Sequence, residues 1–116
     1  MIVSAVPRGA GAQQAPGQAA ETLRAALVDA QLQLIDDPLA AQGSLQEAAN
    51  LYNTALAPSL SLAAPESDER VRQGLDMAAK AVAVKDAPAF AAARAQVWTA
   101  VLDGSYRTVQ SAIAAG

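Results

Sequence analysis

The chain has 116 residues, enough for one small domain with a single core and too few for two. It carries no Cys and no His, which removes disulfides, thiol nucleophiles, imidazole bases and every zinc or copper site built on sulfur or nitrogen ligands. A formal charge of −3, with eight scattered basic residues, gives a phosphate backbone little to grip, so nucleic acid is not expected as a partner.

Apolar residues make up 53% of the chain but aromatic ones only 3%, and much of the apolar share is Ala. That combination describes closely spaced helices around a thin core. β-branched and aromatic residues never alternate with polar ones over a useful length, so strands are not expected. The expected fold is all-α, an antiparallel up-down bundle of four helices.

Residues 1–17 are rich in Gly, Ala, Pro and Gln and carry no period, which reads as a flexible leader or a signal-peptide remnant. Ala10-Gly11-Ala12 has the small-x-small form of a secretory cleavage site, and Ile2 to Val6 reads as the end of an apolar segment. The bundle domain then occupies residues 18–116. Its first helix is expected from about Gln18 to Ile35, with Ala20, Leu23, Leu27, Ala30 and Leu34 at steps of 3, 4, 3 and 4 along one face. Asp36-Asp37-Pro38 ends it, and Asp37 is placed to cap the next helix. The carboxylates of Asp36 and Asp37 read as caps and solvated charge in preference to metal ligands.

The second helix is expected from about Leu39 or Ser44 to Leu56, with its regular part starting at Ser44, where Ser44 and Glu47 form an S-x-x-E capping box, and with Leu45, Ala49, Tyr52 and Leu56 on one face. Pro58 is expected to weaken or end it, leaving a loop from which Leu60 and Leu62 close over the bundle end. Pro65 and the acidic turn Glu66, Asp68, Glu69 open a third helix, with Val71, Leu75, Ala78 and Val82 as its stripe and Lys80 and Lys85 at its end. Asp76 and Lys80 form an i, i+4 pair on its solvated face.

The fourth helix runs from Asp86, its expected N-cap, to Ala115, with Pro88 in the first turn. Trp98, Leu102, Tyr106, Val109 and Ile113, at steps of 4, 4, 3 and 4, read as its buried stripe, and Phe90, Val97 and Val101 lie one strip over. Gly104 costs roughly 1 kcal/mol relative to Ala inside a helix and Ser105 could cap a new one, but the stripe stays in phase through Gly104, so one long helix is expected, with a kink there as its alternative form. Arg94 and Trp98, four apart, would allow a guanidinium over the indole with Tyr52 approaching the same region, but the favoured reading is that the large residues fill an Ala-lined bundle with their tips at the rim.

No catalytic constellation appears: there is no G-x-S-x-G, S-x-x-K, phosphate-binding Gly loop or dinucleotide fingerprint. A ferritin-like di-iron site needs inward Glu and E-x-x-H pairs, which Glu21, Glu47, Glu66 and Glu69 without any His do not supply. No catalytic or cofactor-binding residue is therefore assigned, no metal ligand is identified, and no cofactor is expected. Weak binding of iron by surface carboxylates is left open by composition.

The run from Leu75 to Gly116 resembles the extracytoplasmic helical region that precedes the membrane part of bacterial iron permeases of the EfeU-like type. The resemblance is carried by the spacing of Asp86 and Phe90, the R-A-x-x-W run from Arg94 to Trp98, and G-S-Y-R-T-V from Gly104 to Val109. It implies a non-enzymatic, exported or membrane-attached helical module. The partners it implies are the permease portion of the same parent chain or other iron-uptake proteins, and the role it implies is iron delivery or partner docking. It also leads one to expect a membrane portion after Gly116. The family's iron-translocating R-E-x-x-E motif belongs to its membrane helices and matches nothing here, so no iron ligand is carried over. The alternative that residue chemistry leaves standing is a small intracellular helical domain for protein interaction. An oxygen-ligand metal protein is the third reading, and oligomeric state is not legible.

Overall fold

The computed structural model describes residues 16–115, which are helical almost throughout and contain no strand. The proposed leader and the Ala12 site lie outside the described residues, apart from the leader's last two positions, which already belong to the first helix. Four helical rods follow one another: α1 (Pro16–Gln33), then α2 (Pro38–Leu51) continuing through a π-helical turn (Tyr52–Leu56) into α3 (Ala57–Ala63), then α4 (Pro65–Ala83) and α5 (Ala87–Ala115). α1 packs along α2 and α4 along α5, and the two pairs meet through α2 with α4 and α1 with α5. The all-α bundle expected from composition is the fold. Between α4 and α5 the pairing runs in opposite senses, since Ser67 meets Asp103 whereas Gly74 faces Ala93 and Val97.

Local chemistry accounts for most boundaries. The Asp37 carboxylate accepts from Ala40 N–H (3.2 Å) with Pro38 in the first turn of α2, and the Asp86 carboxylate accepts from Ala89 N–H (3.0 Å) ahead of Pro88 in α5. α2 thus starts six residues before the expected capping box. Ser44 lies inside the helix, half-buried, with its hydroxyl 2.8 Å from the Gln33 side-chain amide, because Asp37-Pro38 already supplies a complete start. That amide also donates to the carbonyls of Ala40 (3.0 Å) and Asp29 (3.2 Å), tying the α1–α2 turn together.

Nor does Pro58 end the second rod. A Pro within a helix removes a donor and crowds the carbonyl four residues back. Here the ladder widens just upstream: Ala57 N–H donates to Tyr52 O, five residues back, and the chain re-enters α-helix with Pro58 in the first turn of α3. The Thr54 hydroxyl donates to Asn50 O (3.0 Å) and Leu51 O (3.3 Å) at the start of the wide turn. The expected loop is therefore helix. Leu60 is buried within it as expected, whereas Leu62 is 87% exposed on its outer side.

α4 closes in a Schellman arrangement, with Lys85 N–H on Val82 O (3.2 Å) and Asp86 N–H on Ala81 O (2.9 Å). Lys85 occupies the left-handed position (φ 56°) that Gly usually takes.

The core holds the expected face of α1 (Ala20, Leu23, Leu27, Ala30, Leu34) together with Leu45, Tyr52, Leu56 and Leu60 from the second rod. α4 contributes Val71, Ala78 and Val82. Along α5 the buried strip is Phe90, Ala93, Val97, Ala100 and Val101, with Gly104 at its end. This corrects the stripe expected from residue size: Leu102, Tyr106, Val109 and Ile113 are exposed and Trp98 is only partly covered. The reason is the closeness of the helices. A Cβ on Gly74 would stand 2.6 Å from Val97 Cγ2, and one on Gly104 would stand 2.7 Å from Leu60 Cδ2 and 3.0 Å from Ser67 Cβ. Large residues do not fit such a seam, so the small-residue strip faces inward. Gly104 is thus a packing residue, and α5 runs through it without interruption.

Two stability outcomes follow. Gly104→Ala gains helix propensity but must displace Leu60, and is expected to destabilise by about 1–3 kcal/mol in urea unfolding, less than the ~3 kcal/mol of Leu27→Ala. Lys85→Gly relieves the left-handed backbone and is expected to stabilise by about 1 kcal/mol in the same assay.

Candidate functional site

Six of the eleven carboxylates are held by structural partners. Glu21 pairs with Arg24 (2.9 Å), Asp76 with Lys80 (3.2 Å), and Asp37 and Asp86 cap helices. Asp68 accepts the buried Tyr52 hydroxyl at 2.6 Å on one oxygen and Arg72 Nε at 3.1 Å on the other. Burial chiefly, and then the hydrogen bond and charge of Asp68, push the Tyr52 phenol well above its ordinary pKa, with Arg72 opposing, so the hydroxyl stays protonated as a donor. This cluster fastens the π-helical turn to α4.

Asp103 gathers the second cluster, with Ser67 Oγ at 2.8 Å, Arg107 Nε at 3.0 Å and Arg70 Nη2 at 3.4 Å around one oxygen. Its carboxyl is held below the usual carboxylate value, first by the Ser67 hydroxyl and then by Arg107, with burial opposing. Among the described residues no group of three or more acidic side chains converges where a metal could sit.

The cation contact that helical spacing would allow on α5 is not made. Arg94 does not cover Trp98; its Nε donates to Gln31 Oε1 at 2.6 Å, bridging α5 to α1. The guanidinium that does approach a ring is Arg72, 6.0 Å from the centroid of Tyr52. Both partners lie on different helices, a relation that spacing within one helix does not reveal.

What remains is a surface. Beside Trp98 a groove of about 460 Å³ opens between the start of α1, the π-helical turn with α3, and α5. Leu56 and Leu60 form its base, Ala20, Trp98, Leu102 and Val109 its walls. Its rim groups are largely committed: Glu21 to Arg24, and the Thr108 hydroxyl to Gly104 O at 2.8 Å. From the groove the apolar face continues along α5 through Tyr106 (64% exposed) and Ile113 (73%). Beyond Gly104 no residue through Ala114 is buried, and none after Arg107 is charged. Such a site offers apolar contact area and shape, with no group positioned for bond-making.

The fold defines a small all-α domain with an apolar groove on its surface. The chain matches the family described as iron permease FTR1 N-terminal domain over residues 12–116, nearly its whole length, and belongs to that family. Comparison with curated proteins and with solved structures gives no match. Among the described residues no helix is long and apolar enough to cross a membrane.

The Asp103 cluster sets a pH signature. A carboxylate with a depressed folded pKa adds stability above its unfolded value near 3.9 and loses it as pH falls through the folded one. Asp103→Asn should therefore melt below the parent at pH 7, and the gap between the two melting temperatures should narrow progressively as pH falls below the unfolded carboxylate value.

Proposed function

We propose that the domain is a non-catalytic association module of an iron-uptake permease, lying on the extracytoplasmic side and docking through the exposed apolar face of α5. Membership of the permease family supports the transport context. The observation that carries the docking role is the continuous apolar face from Trp98 to Ile113, exposed in a chain whose other large apolar residues mostly line the core. Contiguous apolar surface of this kind marks a place where a partner sits. The permease portion of the parent chain is the setting in which this reading places the domain. The domain works without a cofactor of its own: Asp37, Asp68, Asp86 and Asp103 are already held by caps, hydroxyls and guanidinium groups. Its contribution to iron uptake is then assembly and positioning.

The test uses the full-length parent in intact cells. Protease added outside should remove the domain, and protection from it would place the domain inside and overturn the reading. Leu102→Glu with Val109→Glu should lower iron uptake severalfold at an unchanged level of parent protein in the membrane.

A further inference from the structure

The exposed face of α5 has an internal symmetry. Positions 98 and 113, 102 and 109, and 105 and 106 are each spaced evenly about the point between Ser105 and Tyr106. We infer that the occupant of the groove is a second copy of this chain, paired through α5 about a twofold axis at that point with the two helices antiparallel. The inference rests on the docking reading in one respect only, that this face is an association surface, and it names the partner.

A twofold contact is isologous, so each residue i meets a residue j that meets i in return. In this register Trp98 lies opposite Ile113, Leu102 opposite Val109, and the large Tyr106 opposite the small Ser105. Two unmet needs are answered at once. Each chain has a groove with Trp98 and Leu102 in its walls, and each has a helix end carrying Val109 and Ile113 past the last buried residue of its own bundle. The antiparallel pair lays the projecting end of one copy over the groove of the other. The contact from position 98 to position 113 covers fifteen helical steps, about 22 Å at 1.5 Å per step. A parallel pair would place projecting ends together and leave both grooves open.

Charge agrees with self-pairing. The last charged residue of α5 is Arg107, already bonded to Asp103 at 3.0 Å. In the antiparallel register Arg107 comes opposite Gly104 and Asp103 opposite Thr108, so no like charges face each other. The rim pair Glu21 and Arg24 is likewise internally neutralised. No unpaired charge on this face selects a charged partner, whereas an identical uncharged face matches it. Leu102, Tyr106, Val109 and Ile113 alternate at steps of 4, 3 and 4, the knob spacing that two helices interdigitate.

Sedimentation of the whole chain over a concentration series should show a monomer–dimer equilibrium. Leu102→Glu with Val109→Glu should raise its dissociation constant at least tenfold. Both side chains are more than half exposed in the single bundle, so unchanged helical circular dichroism and melting of the dilute monomer confirm that the variant folds. The absence of native Cys allows a test of direction: mixing Leu102→Cys and Val109→Cys chains with a short thiol crosslinker should give mixed dimers in severalfold excess over either self-linked dimer. A monomer at every concentration, or preferential linkage of 102 to 102, overturns the inference. If the chain stays monomeric yet binds the purified permease portion in detergent, and the double Glu variant does not, self-pairing falls while docking stands. If neither association occurs, both fall.

Discussion

The close approach of α4 to α5 governs the architecture. At Gly74 and Gly104 the neighbouring atoms occupy the space a methyl group would need, and Ala93 and Ala100 continue the same strip. Dispersion rises steeply as surfaces come into contact, so a seam of small residues gains many weak contacts where large side chains would hold the helices apart. Once α5 turns this strip inward, its large residues lie on the other side. The burial of Phe90 and the exposure of Ile113 are two results of one rotation of the helix about its axis.

The polar groups act within this frame as crosslinks between rods. Tyr52 with Asp68 fixes the π-helical turn against α4, Ser67 with Asp103 fixes the start of α4 against α5, and Arg94 with Gln31 joins α5 to α1. The buried hydroxyls of Ser67 and Tyr52 are each satisfied by a carboxylate. A thin Ala-rich core leaves geometry underdetermined, and directional bonds between helices restrict the register that apolar packing alone would leave loose.

Much of this was legible in the chain itself. The apolar period of α1, the caps at Asp37 and Asp86, the start of α4 at Pro65 and the solvated Asp76–Lys80 pair all rest on interactions within a few residues, which spacing encodes directly. The family, too, was legible in the last forty residues. The misreadings share a cause. The stripe on α5 was chosen by side-chain size, and size is a poor guide where Gly and Ala make the contact. Pro58 reads locally as weakening or ending a helix because the widened turn that accommodates it is not written in any single residue. The pairs Arg94–Gln31 and Tyr52–Asp68 join distant parts of the chain, so no local rule proposes them. The groove inherits the same difficulty, since its lining comes from three rods.

The π-helical turn has a further implication for how this domain tolerates change in length. It holds one more residue than an ordinary turn, and that surplus lies between Tyr52, which points to Asp68, and Leu60, which fills the space beside Gly104. Losing one residue within the wide turn would let the rod close to uniform pitch with the phase downstream kept, so Leu60 would stay in the seam. Losing one elsewhere in the rod, where no surplus exists, would turn everything downstream by about a quarter of a revolution. This segment is a reserve link, able to give up a residue without moving what lies beyond it.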